Sequence, residues 1–448
     1  MGIDMTSAGF IRCRLGAAAI LAVAVLPLTG CEDELLEFQD PDIIEDASSA
    51  SGAIALRNGV IQRFTQMVNG MQGPDALFIY SGLLADEWRS GDTFEQRNQA
   101  DKRDVPEENT FLDDQLLRLN QVRTQGQQAI RGLRQFVPTP TSHVGLMFAL
   151  TAFVENFAGE IYCNGIPFSE VAEDGSVVFG DPVTVDSAFR RAVASADSAL
   201  KYVDGTDGPR VKDLASVVKA RALLNLDQPA AAQAAVAAVA TDFSYEVFHS
   251  SVTTTNQLWA LNGARRYVVS DNEGGNGLPF ISANDPRIQT APDGIAFDTQ
   301  TPAFRLIVGT VVGLSTFGQF EPLAVASGIE ARLIEAEGAL RNSDITGFID
   351  KVNTARQTRT DLPDLADPGT ADAREDLLFY ERGFWMFSTG HRLGDLRRLI
   401  RQYGRGAETV FPTGGFHKGD TYGPDVNLPI SFDERNNTNF TGCLDRNP

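Results

Sequence analysis

Apolar residues recur every three or four positions along most of this chain, the spacing that places them on one face of an α-helix. Residues 112–133 form a long polar segment with leucines at this spacing. Residues 142–162 form a more apolar segment, in which Ser142 is a suitable N-cap. Strand patterns are short and scattered. The pattern therefore predicts a mostly α fold with long core helices.

Two stretches show a helix, a tight break and a second helix. In the first, an apolar stripe over 214–224 is followed by a break at 227–229 and by alanines at helical spacing over 231–238. In the second, stripes over 329–340 and 345–352 flank a similar break. Such hairpins are typical of tetratricopeptide-like units, which bury their apolar faces only against neighbours. About a hundred residues without a fixed period separate the two, so a simple tandem solenoid is excluded.

The stretch between the hairpins has a different composition. Residues 243–325 are rich in Gly, Pro, Asn, Asp and aromatic residues, with a strand-like segment at 305–308. We predict one helical scaffold over 51–448, divided into a helical part (51–242), this loop-rich insertion with short strands, and a C-terminal hairpin (326–448). Loops held on rigid helices often bind ligands, although long inserts also serve as packing covers.

The N-terminus has the order of a secretory signal. Two arginines precede an apolar run over 15–26, which is shorter than the roughly 20 residues of a membrane-spanning helix. The following Leu28-Thr-Gly-Cys31 resembles the lipobox of bacterial lipoproteins. We therefore predict a signal peptide over 1–30, lipid on Cys31 and a flexible tether over 31–50; a transmembrane anchor is the alternative.

Charge narrows the choice of partners. The chain has 448 residues, with 38 basic and 59 acidic side chains and a net charge of −21. This acidity disfavours nucleic acid and anionic lipid headgroups, so membrane attachment is expected through the acyl chains on Cys31. The acidic triplet at 32–34 resembles the export signals of surface lipoproteins of Bacteroidetes-type bacteria, or is an ordinary solvated linker. Charge therefore predicts a protein that is held at a membrane by lipid.

Four cysteines reduce to two in the mature protein. Cys13 lies in the predicted signal peptide and Cys31 is assigned to lipid, which leaves Cys163 and Cys443 in an oxidising compartment. They form either one disulfide or two separate buried thiols.

Residues 381–398 contain a dense pattern of charged and aromatic residues. They resemble the C-terminal signature of the SusD/RagB family of nutrient-binding lipoproteins, approximately E-R-x-x-E-L-x-F-E-G-x-R-x-x-D-L-x-R. The matching positions are Glu381, Arg382, Gly390, Arg392, Asp395, Leu396 and Arg398. Trp385, Ser388 and Thr389 depart from the pattern. The closing Leu428-Pro-Ile430 and the hairpin over 332–356 are also similar to the family.

The resemblance implies a function in nutrient capture, by a protein that is lipid-anchored in the outer membrane and exposed at the cell surface. Members of the family are non-enzymatic lids that bind a glycan or peptide and pass it to a TonB-dependent, SusC-like barrel in the outer membrane. In the signature itself, charged residues alternate with Phe384, Trp385 and Phe387 at helical spacing. This favours a buried network of arginines and carboxylates that joins two helices, with a direct ligand role as the alternative.

Two segments combine aromatic side chains with hydrogen-bonding groups, as sugar binding requires. The first falls where the family carries a ligand-contacting loop. Its candidates are Trp88, Arg89, Asp92, Phe94 and Arg97. The second lies in the insertion, with Trp259, Arg265, Arg266 and Tyr267 as candidates. Trp88 could instead be a core residue.

Motifs for other chemistry do not occur. The four histidines form no H-E-x-x-H, and the chain has neither a nucleophile elbow nor a phosphate-binding loop. The turn at 271–276 lacks the full alternation of calcium ligands. We therefore predict no catalytic residues, no metal and no cofactor. An extracellular hydrolase on a similar scaffold and a ligand-free subunit of the transporter are the alternatives.

Overall fold

The structure is a computed structural model that describes residues 47–71, 73–172 and 176–448. The predicted signal peptide, Cys31 and most of the tether lie outside the described residues. The described part belongs to one compact unit.

Helices are the predominant secondary structure of the described residues. They are α1 (Ala50–Val68), α2 (Leu77–Leu84), α3 (Glu95–Asp101), α4 (Phe111–Phe136), α5 (Ser142–Ile161), α6 (Val185–Ala199), α7 (Gly208–Asn225), α8 (Pro229–Val236), α9 (Gln257–Gly263), α10 (Gly328–Arg341), α11 (Ile345–Arg356), α12 (Ala371–Trp385), α13 (Arg392–Tyr403) and α14 (Ala407–Val410). Short 3₁₀ turns cover Glu273–Gly275 and Phe432–Asn436.

The strands are short and form six antiparallel pairs. They are β1 (Trp88–Ser90), β2 (Ile166–Pro167), β3 (Glu170–Val171), β4 (Val177–Val178), β5 (Pro182–Val183), β6 (Ser244–Val247), β7 (Tyr267–Val269), β8 (Thr290–Ile295), β9 (Pro302–Leu306), β10 (Val311–Val312), β11 (Ser315–Thr316) and β12 (Leu323–Ser327). The pairs are β1 with β7, β2 with β5, β3 with β4, β6 with β12, β8 with β9, and β10 with β11.

Successive helices pack side by side into a helical array. Helix α4 contacts α5, and the contacts continue through α6, α7, α8, α10 and α11 in that order. Both predicted hairpins are present, as α7 with α8 and as α10 with α11. Local signals set their ends: Pro229 starts α8, while the Ser327 and Asp344 side chains accept backbone N–H groups at the starts of α10 and α11. The predicted mostly α, tetratricopeptide-like fold is confirmed.

Helix α5 lies at the centre of this array. It is the one helix in the described residues that is long and apolar enough to cross a membrane, and 94% of its apolar stretch is buried inside the protein. Burial by α4, α6 and α7 accounts for its apolar composition. The structure places the N-cap at Thr141 instead of Ser142, without a side-chain cap hydrogen bond.

The ends of the insertion are held together by a β-ladder. Strand β6 pairs with β12, so the chain leaves the helical array after α8 and returns immediately before α10. Because the two ends meet, α8 and α10 pack against each other as sequence neighbours would. The array therefore continues across the insertion.

The signature residues form a buried network of ion pairs. Arg382 donates two hydrogen bonds to Asp395, at 2.7 and 2.9 Å, and joins α12 to α13. Arg398 pairs with both Asp395 and Glu337 of α10. Burial alone would raise the pKa of Asp395. The positive charges of Arg382 and Arg398 outweigh this effect and lower the pKa well below its usual range. Gly390, with a φ of +74°, makes the turn between the helices, where a Cβ atom would meet Phe78 and Phe157.

A disulfide joins Cys163, after α5, to Cys443 near the C-terminus. The neighbouring backbone is also paired, since Cys163 donates to the carbonyl of Leu428 at 2.9 Å and Leu428 donates to that of Ile161 at 2.8 Å. The C-terminal segment is thereby fastened to the end of the central helix.

Candidate functional site

A β-ladder brings together the two groups of residues that the sequence singles out. Strand β1 belongs to the first group and β7 to the second, and they pair antiparallel with Arg89 opposite Val268. The candidates therefore belong to one region of the surface, next to α3.

Two of the aromatic candidates, Trp88 and Tyr267, lie beneath that surface. Trp88 is 0% exposed, donates its indole N–H to Ser388 Oγ at 3.0 Å and packs on Phe387. Tyr267 is also 0% exposed and donates to Asp75 Oδ2. The expectation that these rings contact ligand is wrong for this structure, because neither ring reaches solvent. They instead form the floor of the site.

Asp92 and Arg97 are likewise buried and hold the site together. Arg97 donates to both carboxylate oxygens of Asp75, at 2.6 and 2.7 Å, and also pairs with Asp92. Burial opposes ionisation of Asp92, but hydrogen bonds from Arg266 and the charge of Arg97 lower its pKa. A direct ligand role is wrong for both residues, since their charges are already neutralised below the surface.

Above this floor, two phenylalanines reach solvent. Phe94 and Phe297 are each 46% exposed. The guanidinium of Arg266 lies 3.8 Å from the ring centre of Phe297 and 5.4 Å from that of Phe94, while its Nη1 donates to Asp92 at 2.8 Å. The result is an exposed cluster of two rings and one cation, whose cation is fixed by a buried carboxylate.

A pocket of about 460 Å³ opens beside this cluster. One wall is the polar face of α3, and the other is the segment that follows Phe411. Polar side chains predominate among the lining residues, which include Asn98, Gln99, Lys102, Asp104, Phe416 and Lys418. Its volume lies within the range of small-ligand sites. Amide, carboxylate and ammonium groups around one aromatic ring are suited to a ligand rich in hydroxyl groups.

The C-terminal wall of the pocket is tied to α3 and the insertion. Lys418 donates to Asn98 Oδ1 at 2.8 Å and forms an ion pair with Asp298 at 3.0 Å. Behind it, the buried guanidinium of Arg103 donates to the carbonyls of Pro412 and Asp425. The pocket is therefore built from segments more than 300 residues apart.

The remaining candidates lie at the margins. Arg89 is half-buried and forms an ion pair with Glu273. Arg265 is exposed near Asp293, and Trp259 is half-buried against the main core. Phe297 and the pocket residues were not among the predicted candidates. The sequence does contain a Gly-rich segment at 413–423 with Phe416 and Tyr422, a composition that could have indicated a binding loop.

A second pocket, of about 410 Å³, lies between α1, α7 and β6. Arg57, Arg210, Tyr245 and the exposed Phe248 contribute to its lining. It shares no lining residue with the first pocket.

The signature motif supports the floor of the site. Arg392 donates to the two oxygens of Asp86 at 2.6 and 2.8 Å. Ser388 donates its backbone N–H to Glu87 Oε1 and accepts the Trp88 indole N–H. The C-terminal motif thus holds three consecutive residues of the floor, Asp86, Glu87 and Trp88, as expected for a structural network.

Glu87 makes the stability of this floor depend on pH. Burial, with a smaller contribution from Asp86, raises the pKa of Glu87 to about 8 from 4.5. The native state keeps a proton that the unfolded chain releases between these values, so the free energy of unfolding falls as the pH rises through this window. Glu87→Gln resembles the protonated side chain. We expect it to stabilise the protein by about 1–2 kcal/mol at pH 8, and by less at pH 5.

Urea unfolding of both proteins at several pH values measures this difference. Glu108→Gln, at an exposed position, is the control and should follow the wild type. Parallel pH profiles for wild type and Glu87→Gln would contradict the protonated state of Glu87.

Solved structures share this architecture. The chain is similar to a SusD superfamily protein from Bacteroides vulgatus, with a TM-score of 0.64 and 14% identity over 89% of this chain and 99% of that one. A SusD superfamily protein from Bacteroides thetaiotaomicron gives a TM-score of 0.64 and 12% identity over 89% and 100%. A SusD-like carbohydrate binding protein from B. vulgatus gives a TM-score of 0.56 and 12% identity over 78% of this chain and 83% of that one. No family model and no curated protein matches the sequence. The chain has the SusD fold.

Proposed function

We propose that this chain is a SusD-type surface lipoprotein, which binds an oligosaccharide or peptide nutrient and delivers it to a TonB-dependent, SusC-like outer-membrane transporter. The fold supports this proposal, and so do the C-terminal signature and the lipobox-like Leu28-Thr-Gly-Cys31. Cys31 would carry the lipid anchor.

The pocket beside the exposed cluster is the observation that carries the binding role. Phe94 and Phe297 offer exposed ring surface for the C–H face of a sugar, while Asn98, Gln99 and Lys102 offer hydrogen bonds to hydroxyl groups. The buried ion pairs beneath hold these groups in place without substrate. This preorganisation favours binding, because less conformational entropy is lost when a ligand arrives. Among the two ligand classes, this lining favours an oligosaccharide.

A role in binding without catalysis fits the arrangement of the acidic residues. The adjacent carboxylates Asp86 and Glu87 both lie in the buried floor, and Asp86 is ion-paired with Arg392. Both are separated from solvent. The hydrolase alternative predicts new reducing ends or peptides after incubation with a substrate panel, and the binding proposal predicts unchanged ligand.

Truncating the exposed cluster tests the location of the site. In a glycan and peptide screen followed by calorimetry, we expect Phe94→Ala to raise the Kd of a bound ligand by about 5-fold or more. Phe248→Ala is the matched control, because this phenylalanine is 60% exposed on the second pocket. The control should bind as the wild type does. Loss of binding in the control alone would show that the ligand binds in the second pocket instead.

The transporter partner is tested separately. Stable co-purification of the lipidated protein with an outer-membrane barrel is the expected result. If the barrel co-purifies and the whole screen is negative, the scaffold alternative replaces the binding role.

A further inference from the structure

Three titratable side chains from distant parts of the sequence converge behind the pocket. Asp101 ends α3, Glu273 begins a 3₁₀ turn of the insertion, and His417 belongs to the C-terminal wall. One potential ligand atom from each lies within 4.8 Å of the others. Asp101 and Glu273 are each 1% exposed. Their spacing in the sequence gives no metal-binding motif, so only the fold reveals the cluster.

The contacts of His417 are compatible with a neutral imidazole that carries its proton on Nδ1. Thr301 donates its hydroxyl to Asp298 Oδ2 at 2.6 Å, which leaves the hydroxyl oxygen to accept from His417 Nδ1 at 3.3 Å. With its proton on Nδ1, a neutral imidazole presents a lone pair at Nε2. That atom lies 2.8 Å from Asp101 Oδ2. Two acceptors therefore face each other unless a proton or a metal cation lies between them.

The carboxylate of Asp101 can accept a further hydrogen bond or bind a cation. Its Oδ2 accepts the backbone N–H of Ser90, while Oδ1 is buried without a hydrogen-bond partner in the described part of the chain. Glu273 pairs with Arg89 and accepts the hydroxyl of Tyr422. Arg89 thus balances one of the two buried carboxylates. A buried acceptor without a partner costs free energy that a bound cation would recover.

We propose that Asp101, Glu273 and His417 bind one divalent cation of the zinc class. Imidazole nitrogen and carboxylate oxygen are ordinary zinc donors, at about 2.0–2.2 Å from the metal. The Nδ1–H contact to Thr301, backed by Asp298, is the outer partner that metal-binding histidines usually have. Calcium prefers six to eight oxygen ligands, so the imidazole disfavours it. The ion would join α3, the insertion and the pocket wall, whatever ligand the pocket holds.

Zinc titration tests the site on the full mature chain, purified without a histidine tag and stripped with EDTA. Competition against a chromogenic chelator should give one bound zinc per chain. His417→Ala should weaken it at least 10-fold, and His143→Ala, in α5, should leave it unchanged. Absence of stoichiometric zinc, or equal affinity in wild type and His417→Ala, would overturn the site in favour of an imidazolium–carboxylate pair.

A second variant keeps all three ligands. Thr301→Val removes the hydroxyl that contacts His417 Nδ1, together with its hydrogen bond to Asp298, and should weaken zinc binding about 10- to 100-fold, with an unchanged far-ultraviolet circular dichroism spectrum. X-ray absorption of the zinc-loaded wild type should show one imidazole among oxygen ligands. Unaltered affinity in Thr301→Val, or a zinc shell without imidazole, would also overturn the proposal.

Discussion

Replacing Arg392 by alanine is expected to lower the free energy of unfolding by about 3–5 kcal/mol. The substitution leaves Asp86, which is 0% exposed, without its guanidinium partner. The remaining hydrogen bond shown for that carboxylate, from the backbone N–H of Leu278 at 2.7 Å, cannot replace a full positive charge. Chemical denaturation followed by circular dichroism measures the loss.

Two further variants identify the cause of the stability loss in Arg392→Ala. Arg435→Ala removes an ion pair with Glu107 in which the arginine is 49% exposed, and it should change stability by about 0.5 kcal/mol or less. The double variant Asp86→Asn/Arg392→Ala removes the orphaned charge and should be more stable than Arg392→Ala. Unchanged unfolding with lost ligand binding would instead assign Arg392 to ligand contact.

Removing the disulfide is expected to cost about 2–5 kcal/mol. The bond between Cys163 and Cys443 closes a separation of 280 residues, so it restricts the unfolded chain strongly in the chain-entropy account. The variant Cys163→Ala/Cys443→Ala keeps the backbone hydrogen bonds around Leu428 but lacks the covalent link. Its unfolding midpoint in guanidinium should be lower than that of the oxidised wild type.

Reduction provides the matched control for this variant. Dithiothreitol should lower the stability of the wild type towards that of the double-alanine variant and leave the variant unchanged. Equal midpoints for oxidised wild type and variant would show that the paired backbone alone holds the C-terminal segment.

The helical scaffold was predictable because its signals are local. The stripes over 214–224 and 329–340, and the breaks that follow them, lie within a few turns of one another in the sequence, so periodicity alone indicates both hairpins. The charged signature was also interpreted correctly as a structural network. Alternation of arginines and carboxylates with Phe384 and Phe387 at helical spacing indicates buried pairs, although it does not identify Asp86 as a partner.

The site was less predictable because distant residues determine exposure. Trp88 is followed by Arg89 and lies in a polar stretch, which suggests a surface loop. Its burial results from Ser388 and Phe387, about 300 residues away. Phe297 and Phe416 reach the site through the insertion and the C-terminal segment, and no spacing rule relates them to α3. Composition therefore located the region, while tertiary packing determined which side chains face solvent.

The separation between Trp88 and Ser388 also bears on the order of folding. Contacts that close such long loops form slowly, because chain entropy is lost before they stabilise the native state. The helical array consists largely of neighbouring pairs and can assemble earlier. The floor beneath the proposed ligand pocket forms only after the residues around Arg392 are in place. If ligand binds there, binding competence is a late product of folding, and a chain truncated before that arginine would lack the support of the proposed binding surface.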